Sequence, residues 1–233
     1  MINKLKLLTA TVVFTLLSAC GGGGGGVSGP VASTESFPLR TVWANLLTTP
    51  STNKVTVSGT NKNGGAITGS GTNTFSGLIA GTFEGVSAQK QTQTVVISLV
   101  SNGETIPVND SFDLWVGSDY APKGESSVSS NYVVVTAASL SSAARVNDTG
   151  TAYTANLYAD STKAVLRGTR TASYVLEADT ASTALLSLIF EDKNTSNVTT
   201  NKSTQQLRIT TTGTFTRIKE TIVEGGSTLI ISY

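Results

Sequence analysis

The 233-residue sequence predicts a mainly β fold: an antiparallel meander forming a curved sheet or a partial barrel, with one short N-terminal helix. Hydrophobic residues make up 39% of the chain, enough for a core, whereas charged residues make up only 13%. From Lys54 onward, apolar and hydroxyl side chains alternate in short runs that Asn- and Gly-rich turns separate. β-branched Thr suits such half-exposed strands.

A helix is predicted over Pro38–Leu47. Ser36 is its candidate N-cap residue, and Pro38 suits a first helical turn. The helix should pack over one face or end of the sheet, and the alternative is a lid over a ligand cavity. Its apolar residues recur at helical spacing: Leu39, Val42, Trp43, Leu46 and Leu47.

Strands account for most of the remaining chain. In Thr72–Glu84, Gly77 and Gly81 indicate a bend or bulge. The polar segment 117–130 is predicted to be a long loop or a boundary between two halves of the domain. The other predicted strands begin at Val55 and end at Tyr233: 55–58, 92–100, 105–116, 132–135, 150–158, 163–168, 171–177, 184–190, 205–210, 213–223 and 227–233.

The first residues have the three parts of an export signal. Lys4 and Lys6 supply the positive end, 7–17 the apolar run, and Ser18-Ala19 the small residues before a cut. The apolar run is too short for a membrane-spanning helix, which needs about 20 residues. Residues 1–19 are therefore predicted to be a signal peptide.

Leu17-Ser18-Ala19-Cys20 resembles the lipobox of bacterial lipoproteins, and Cys20 is the chain's single cysteine. The resemblance implies cleavage between Ala19 and Cys20, a diacylglycerol on the Cys20 sulfur and a third acyl chain on the new amino group. Three chains exceed what stable membrane attachment requires. Because Gly21 rather than Asp follows the cysteine, the resemblance implies sorting to the outer membrane of a Gram-negative cell.

A tether is predicted over residues 20–36, because Gly21–Gly26 lose too much backbone entropy on ordering. As a flexible coil it reaches roughly 20–25 Å on average. The β-rich domain is predicted over 37–233. A weaker resemblance links the chain to uncharacterised Gram-negative lipoproteins with a cysteine–polyglycine start, through Asn147–Thr151, Tyr158–Lys163 and Tyr174–Thr180, and it implies no activity.

Charge and composition narrow the function. Without Lys4 and Lys6 the chain has 14 basic and 15 acidic residues, all scattered, so no nucleic-acid partner is expected. The absence of histidine excludes Ser-His-Asp catalysis and histidine-bound metals. No cofactor, metal site or catalytic residue is predicted.

For each of the remaining polar and aromatic residues, an ordinary structural role, here called the plain interpretation, stands beside a catalytic or ligand-binding role. Turn or edge roles are the plain interpretation for the acids Asp110, Asp113, Asp119, Asp148, Asp160, Glu177 and Asp179. Cross-strand pairing, with acids such as Glu177 or Glu220, is the plain interpretation for Arg145, Arg167, Arg170, Arg208 and Arg217. Core packing, rather than a sugar- or lipid-binding platform, is the plain interpretation for Trp43, Trp115, Tyr120 and Tyr132.

Three functions stay open. The first is a non-catalytic binding or structural domain leashed to the outer membrane, with a protein, glycan or lipid partner. The second is a carrier that encloses an apolar ligand in the curved sheet. The third is a carboxylate-based polysaccharide hydrolase, which needs two acids about 5–10 Å apart in a cleft.

Overall fold

The computed structural model describes residues 30, 32–127 and 131–233. The predicted signal peptide, Cys20 and most of the predicted tether lie outside the described residues. Among the residues that are described, no helix has the length and hydropathy to cross a bilayer.

The described part of the chain forms one helix and thirteen strands, so the fold is mainly β with one short helix near its start, as predicted. The helix α1 spans Leu39–Thr48, one residue later than predicted. The strands are β1 Ser51–Thr60, β2 Ala66–Phe75, β3 Ile79–Phe83, β4 Val86–Ser101, β5 Glu104–Val116, β6 Pro122–Ser127, β7 Tyr132–Ala138, β8 Thr149–Tyr158, β9 Leu166–Ala178, β10 Thr183–Asn194, β11 Thr199–Thr210, β12 Phe215–Glu224 and β13 Ser227–Ser232.

The sheet is a closed antiparallel barrel, which corrects the expectation of a curved sheet or a partial barrel. Sequential strands pair from β4 to β13, β13 pairs with β1, and β1 pairs with β2. The pairing of β2 with β4, from Ile67↔Ser101 to Phe75↔Gln93, closes a ring of twelve strands. Closure leaves no free edge in that ring, and the turns alone did not reveal the β2–β4 pairing.

The strand β3 stands outside the ring. β2 and β3 share one edge of the long strand β4, and the chain leaves the ladder at 76–78. The predicted bent strand Thr72–Glu84 is therefore two strands with a break. Ser76 spans the break, because its N–H donates to Thr92 O at 2.9 Å and its Oγ accepts from the Thr92 N–H at 2.8 Å.

Segment 117–130 contains β6, which pairs with both β5 and β7, so one sheet runs through this part of the chain. Pro122 begins β6, where a missing N–H does little harm to a ladder. Trp115 and Val116 carry a register shift against it. Among the described residues, β6 and β7 pair through Gly124↔Val134 and Glu125↔Val133, fewer residue pairs than in the other ladders of the ring.

The helix α1 fills one mouth of the barrel. Its buried residues Leu39, Val42 and Leu46 pack against inward side chains of β9, β10 and β11. Around the rest of the rim, Trp43 Nε1 donates to Tyr120 O and Asn45 Nδ2 donates to Gly213 O, each at 2.9 Å. Because these contacts surround the helix, α1 closes the mouth from within. The sequence predicted that the helix packs over one face or one end of the sheet, and in the structure it packs at the end.

The two ends of the barrel differ in how the chain reaches them. Residues preceding α1 enter at the plugged end, where Ser33 Oγ donates to Ala181 O at 2.9 Å and Phe37 pairs with Ala144. We call this the tether end. The opposite end, formed by the turns at 61–65, 102–103, 159–165, 195–198 and 225–226, is the distal end.

The wall has an apolar inner face and a hydroxyl-rich outer face. Two further buried clusters line the inside, one around Tyr153 and Leu157 and one around Val57 and Ile231. On the outside, hydroxyl groups meet across neighbouring strands at 3.0–3.2 Å, in the pairs Thr52–Thr74, Thr94–Ser111 and Thr136–Thr154.

Candidate functional sites

A four-residue cluster with two carboxylates and one guanidinium lies on one side of the barrel interior, and we call it the Arg170 cluster. Arg170 on β9 binds Asp192 on β10 through two hydrogen bonds, Nε–Oδ1 at 2.6 Å and Nη2–Oδ2 at 2.9 Å. Its Nη1 donates to Glu125 Oε2 on β6 at 2.5 Å. Tyr153 on β8 donates to the other Glu125 oxygen at 3.2 Å. Four of the five neighbouring strands from β6 to β10 are thereby joined by side chains on the inner face of the wall.

Burial and pairing shift the pKa values of Arg170 and Tyr153 in this cluster. Burial alone lowers the pKa of Arg170, but the adjacent carboxylates of Glu125 and Asp192 outweigh it and hold that pKa well above its usual value. Burial, and secondarily the charge of Glu125, raises the pKa of the Tyr153 phenol. The guanidinium therefore stays charged, and both carboxylates accept hydrogen bonds from it.

A second interior group, the Glu220 cluster, lies on the opposite wall. Glu220 accepts a hydrogen bond from Ser203 Oγ at 2.7 Å, and Asn73 Nδ2 donates to Tyr233 Oη at 2.8 Å. The Arg217 guanidinium lies 3.7 Å from the centre of the Phe75 ring, within cation–π range. Asn73 Oδ1 and Arg217 Nε are buried and have no hydrogen-bond partner among the described residues.

Desolvation dominates the electrostatics of the Glu220 cluster. Burial raises the pKa of Glu220 and lowers that of Arg217. Burial, helped by the charge of Glu220, raises the pKa of Tyr233 to about 12. All three shifts disfavour charge, so this wall of the barrel carries polar groups at an energetic cost that the apolar clusters must offset.

An aromatic contact joins the β3–β4 hairpin to the outer wall, and we call it the hairpin clasp. The Phe83 ring stacks on Trp115 of β5 and on Tyr132 of β7, with centroids 5.5 and 5.4 Å apart. Beyond it, Glu84 accepts from Tyr132 Oη at 2.6 Å and pairs with Lys163 of the β8–β9 turn. The clasp therefore bridges the short β6–β7 ladder from outside.

Glycines permit the close approach of the hairpin. A Cβ at Gly124 on β6 would meet the Phe83 ring and the carbonyl oxygen of Val133. A Cβ at Gly81 on β3 would lie 2.9 Å from Trp115 Cζ3. Both positions thus need glycine for space rather than for an unusual backbone angle.

The predicted acidic residues do not converge. Asp119, Asp148 and Asp160 accept backbone N–H bonds in turns, which is the plain interpretation. Asp110 does the same with the N–H of Ser111 on β5. The others have separate side-chain partners on the outer wall: Asp113 with Lys90 and Thr92, Glu177 with Ser187, and Asp179 with Arg208 and Thr183.

The predicted arginines divide between the two faces. Arg170 and Arg217 point inward, as described above, and Arg208 pairs with Asp179 outside, with Nε–Oδ2 at 2.6 Å. Arg167 donates to Asn131 Oδ1 at 3.3 Å. The backbone N–H of Arg145 closes the turn onto Asp148. No common anion-binding face of arginines forms among the described residues.

The four predicted aromatics also form two separate groups. Trp43 and Tyr120 meet at the tether end, through the hydrogen bond from the indole to the Tyr120 carbonyl. Trp115 and Tyr132 meet in the hairpin clasp, with Phe83 between them. Phe83, which joins the second pair, was not recognised in the sequence.

Sequence reasoning also missed Glu125 and Asp192 as partners of Arg170. The spacing of residues in one strand carries no signal for a contact between β6 and β9. Only the register pair Arg170↔Asp192 between neighbouring strands follows the cross-strand rule that predicted acid partners for the arginines.

Two internal spaces lie between described side chains. One is around Tyr153 and Phe190 and one is beside Leu39 and Val42 of α1, and each has room for about one water molecule. Within the same described residues, no three Cys, Asp or Glu side chains are grouped closely enough to hold a metal ion.

Comparison with known proteins gives no relative. No family model, no curated protein and no solved structure matches this chain.

Proposed function

We propose that this chain is a lipoprotein anchored in the outer membrane through Cys20, and that its barrel is a non-catalytic binding or structural module. The anchor rests on the lipobox residues, and the role of the barrel rests on its geometry. The observation that carries the second point is the filled interior: α1 closes the tether end from within, and core clusters occupy the lumen. Contacts with a partner are then made by the outer wall and the distal end.

The position at which the chain enters the barrel supports attachment through a tether. Ser33 and Phe37 fix the start of the domain at the tether end, a few residues after the glycine run. A tether that joins the barrel at the tether end leaves the distal end facing away from the lipid. The hydroxyl-rich outer wall favours contact with water on all sides, because Thr and Ser side chains are well solvated there.

The two alternative functions find little support in the same features. A carrier needs a cavity that buries most of a ligand, whereas the internal spaces described hold about one water molecule each. A hydrolase needs two acids in a cleft. Glu125 and Asp192 do share a partner, but both are bound to Arg170 on the inner side of the wall.

Replacement of the anchor residue tests the proposal. In Cys20→Ser, the chain cannot carry thioether-linked lipid, and we expect it to move from the membrane pellet to the soluble fraction. Ser28→Cys in the Cys20→Ser background is the matched control, because it restores a thiol at a different position in the tether and should not restore membrane attachment. Retention of Cys20→Ser in the outer-membrane fraction would overturn the proposed anchor.

A further inference from the structure

A bulge in β12 places a basic and an acidic side chain next to each other on the inner face of the wall. The register of β12 against β11 shifts between Gln206 and Leu207, which makes Ile218 an extra residue on β12. Without the bulge, alternation would turn residues 217 and 220 toward opposite faces of the sheet. With it, Arg217 and Glu220 both point into the barrel, roughly 7 Å apart along the strand.

These two neighbours are not partners. Glu220 is 8% exposed and accepts a hydrogen bond from Ser203 Oγ at 2.7 Å. The Arg217 guanidinium instead lies 3.7 Å from the centre of the Phe75 ring and 5.5 Å from that of the Phe215 ring. Its Nε is buried without a hydrogen-bond partner among the described residues. Neither residue takes part in an ion pair within 4.0 Å in that part of the chain.

The proton on Glu220 decides which contact of Arg217 is stronger. A neutral carboxyl offers the guanidinium only a hydrogen bond, which contact with two aromatic rings in a desolvated site matches or exceeds. A carboxylate adds charge attraction across a poorly solvated interior, and this attraction is stronger than a cation–π contact. The position of Arg217 on the Phe75 ring is therefore the one expected while Glu220 is protonated. Burial supports this state, because it raises the pKa of Glu220.

The groups around the pair leave the response to pH with Glu220. Arg217 is the charged side chain that faces it, and Tyr233 on β13 is its other ionisable neighbour in the described part of the chain. Burial raises the pKa of Tyr233 to about 12, so this phenol stays neutral while Glu220 titrates. The other surrounding side chains carry no charge: Ser203 and Gln205 on β11, Ile231 on β13 and Asn73 on β2.

We propose that Arg217 and Glu220 form a proton-operated switch in the barrel wall. With Glu220 protonated, Arg217 stacks on Phe75 and joins β12 to β2 across the two strands between them, β13 and β1. When Glu220 loses its proton, Arg217 turns along β12 and pairs with the carboxylate, and the contact with β2 is lost. Since β1 and β13 pair with each other in this stretch of the ring, acid strengthens the closure of the barrel there and a higher pH weakens it.

Nuclear magnetic resonance of the purified chain over a pH series tests the switch. It follows the carboxyl carbon of Glu220 and the nuclear Overhauser contact between the Arg217 side chain and the Phe75 ring. We expect this contact to disappear over the pH range in which the carboxyl titrates, with a midpoint above the ordinary value of 4.5.

Two conservative substitutions separate the switch from general effects of pH. Glu220→Gln keeps an oxygen that accepts from Ser203 but cannot become charged, so Arg217 should stay on the Phe75 ring at every pH. Glu177→Gln is the matched control, because Glu177 also accepts a hydrogen bond from a serine of the neighbouring strand, Ser187, but on the outer wall. It should keep the transition of the parent chain.

Phe75→Leu provides a further measurement, because it removes the ring and keeps an apolar side chain. Arg217 then gives up no contact with this ring when it pairs with Glu220, and the titration midpoint of Glu220 should fall by up to about one pH unit.

Three results would overturn the switch. They are an Arg217–Phe75 contact that persists while Glu220 titrates, the same loss of contact in Glu220→Gln, and a Glu220 carboxyl that does not titrate between about pH 4 and 9. The residues of the switch lie inside the barrel, so failure of the anchor proposed at Cys20 leaves their behaviour unchanged and the two proposals fail separately.

Discussion

Arg170 and Asp192 lie directly opposite each other on β9 and β10 and form a two-bonded ion pair inside the barrel. Their side chains are only 13% and 6% exposed. The same guanidinium reaches Glu125 on β6, which the chain order separates from β9 by two strands of the wall. Arg170 thereby links β6 to β9 on the inner face of the wall, while the hairpin clasp joins β5 and β7 on the outer face.

Neutralising Asp192 should be costly. We expect Asp192→Asn to lower the free energy of unfolding by about 1–3 kcal/mol, because the buried guanidinium of Arg170 loses two hydrogen bonds to a charged partner and keeps only Glu125. Urea unfolding measures the loss. Arg208→Gln breaks the outer ion pair with Asp179 and is the control, expected to change stability little because the pair is exposed to solvent. Equal effects of the two substitutions would contradict the role assigned to the Arg170 cluster.

A methyl group at Gly124 should separate the hairpin from the wall. We expect Gly124→Ala to destabilise the protein by about 1–3 kcal/mol, since the added Cβ meets the Phe83 ring and the Val133 carbonyl. Gly77→Ala is the control, because a Cβ there meets nothing within 4 Å. Loss of the Trp115 near-ultraviolet dichroism signal in Gly124→Ala would report displacement of the hairpin. An unchanged signal together with unchanged stability would refute this account.

The hairpin clasp should weaken in acid. Hydrogen bonds from Lys163, and secondarily from Tyr132, lower the pKa of Glu84 below its ordinary value of 4.5. A depressed carboxyl pKa adds stability that is present above the ordinary pKa and is lost as pH falls through the lowered one. Glu84→Gln should therefore lose up to about 1 kcal/mol near pH 7 and show a flatter dependence of stability on pH below about 4.5.

Urea unfolding at a series of pH values checks the Glu84 prediction. Glu104→Gln is the control, because Glu104 is an exposed glutamate at the distal end. It should keep the pH dependence of the parent chain. If Glu84→Gln kept it too, the clasp would not draw its stability from the Glu84 charge.

Gln91 should hold the C-terminal end of the plug helix. Its amide nitrogen Nε2 donates to both Leu46 O and Leu47 O at 2.9 Å, and the residue is buried. We expect Gln91→Met to cost about 1–3 kcal/mol, because two helix carbonyls lose their donor away from water. Hydrogen exchange of the α1 amides should accelerate. Gln206→Met, on the half-exposed outer wall, should leave α1 exchange unchanged.

The local elements were largely predictable. Leu39, Val42 and Leu46 gave α1 to within a residue at each end, because an amphipathic repeat is written in consecutive positions. The hairpin strands β12 and β13 were also found near their observed bounds, since Gly225 and Gly226 mark the turn. Segment 117–130 was predicted as a long loop or a boundary between two halves, and the strand β6 within it was missed because it is short, polar and begins with proline.

The contacts of the candidate site residues were predicted less well than the helices and strands. Acids such as Asp119 and Asp160 occupy turns, as their local sequence indicates. The contacts that join distant strands, Glu125 with Arg170 and Phe83 with Tyr132, connect residues 45 and 49 positions apart (170 − 125 and 132 − 83). Nothing in the neighbourhood of either residue specifies its partner.

The sequence by itself determined a mainly β chain with one plug-sized helix, its turns, and the lipobox prediction at Cys20. These follow from periodicity, turn residues and a short motif, all of which act over a few neighbouring positions. Tertiary structure alone decided that β2 meets β4 to close the ring, that α1 lies inside the mouth, and that β3 is left as an edge. Those outcomes depend on register between strands far apart in the chain, where burial and backbone pairing of the whole wall select the arrangement.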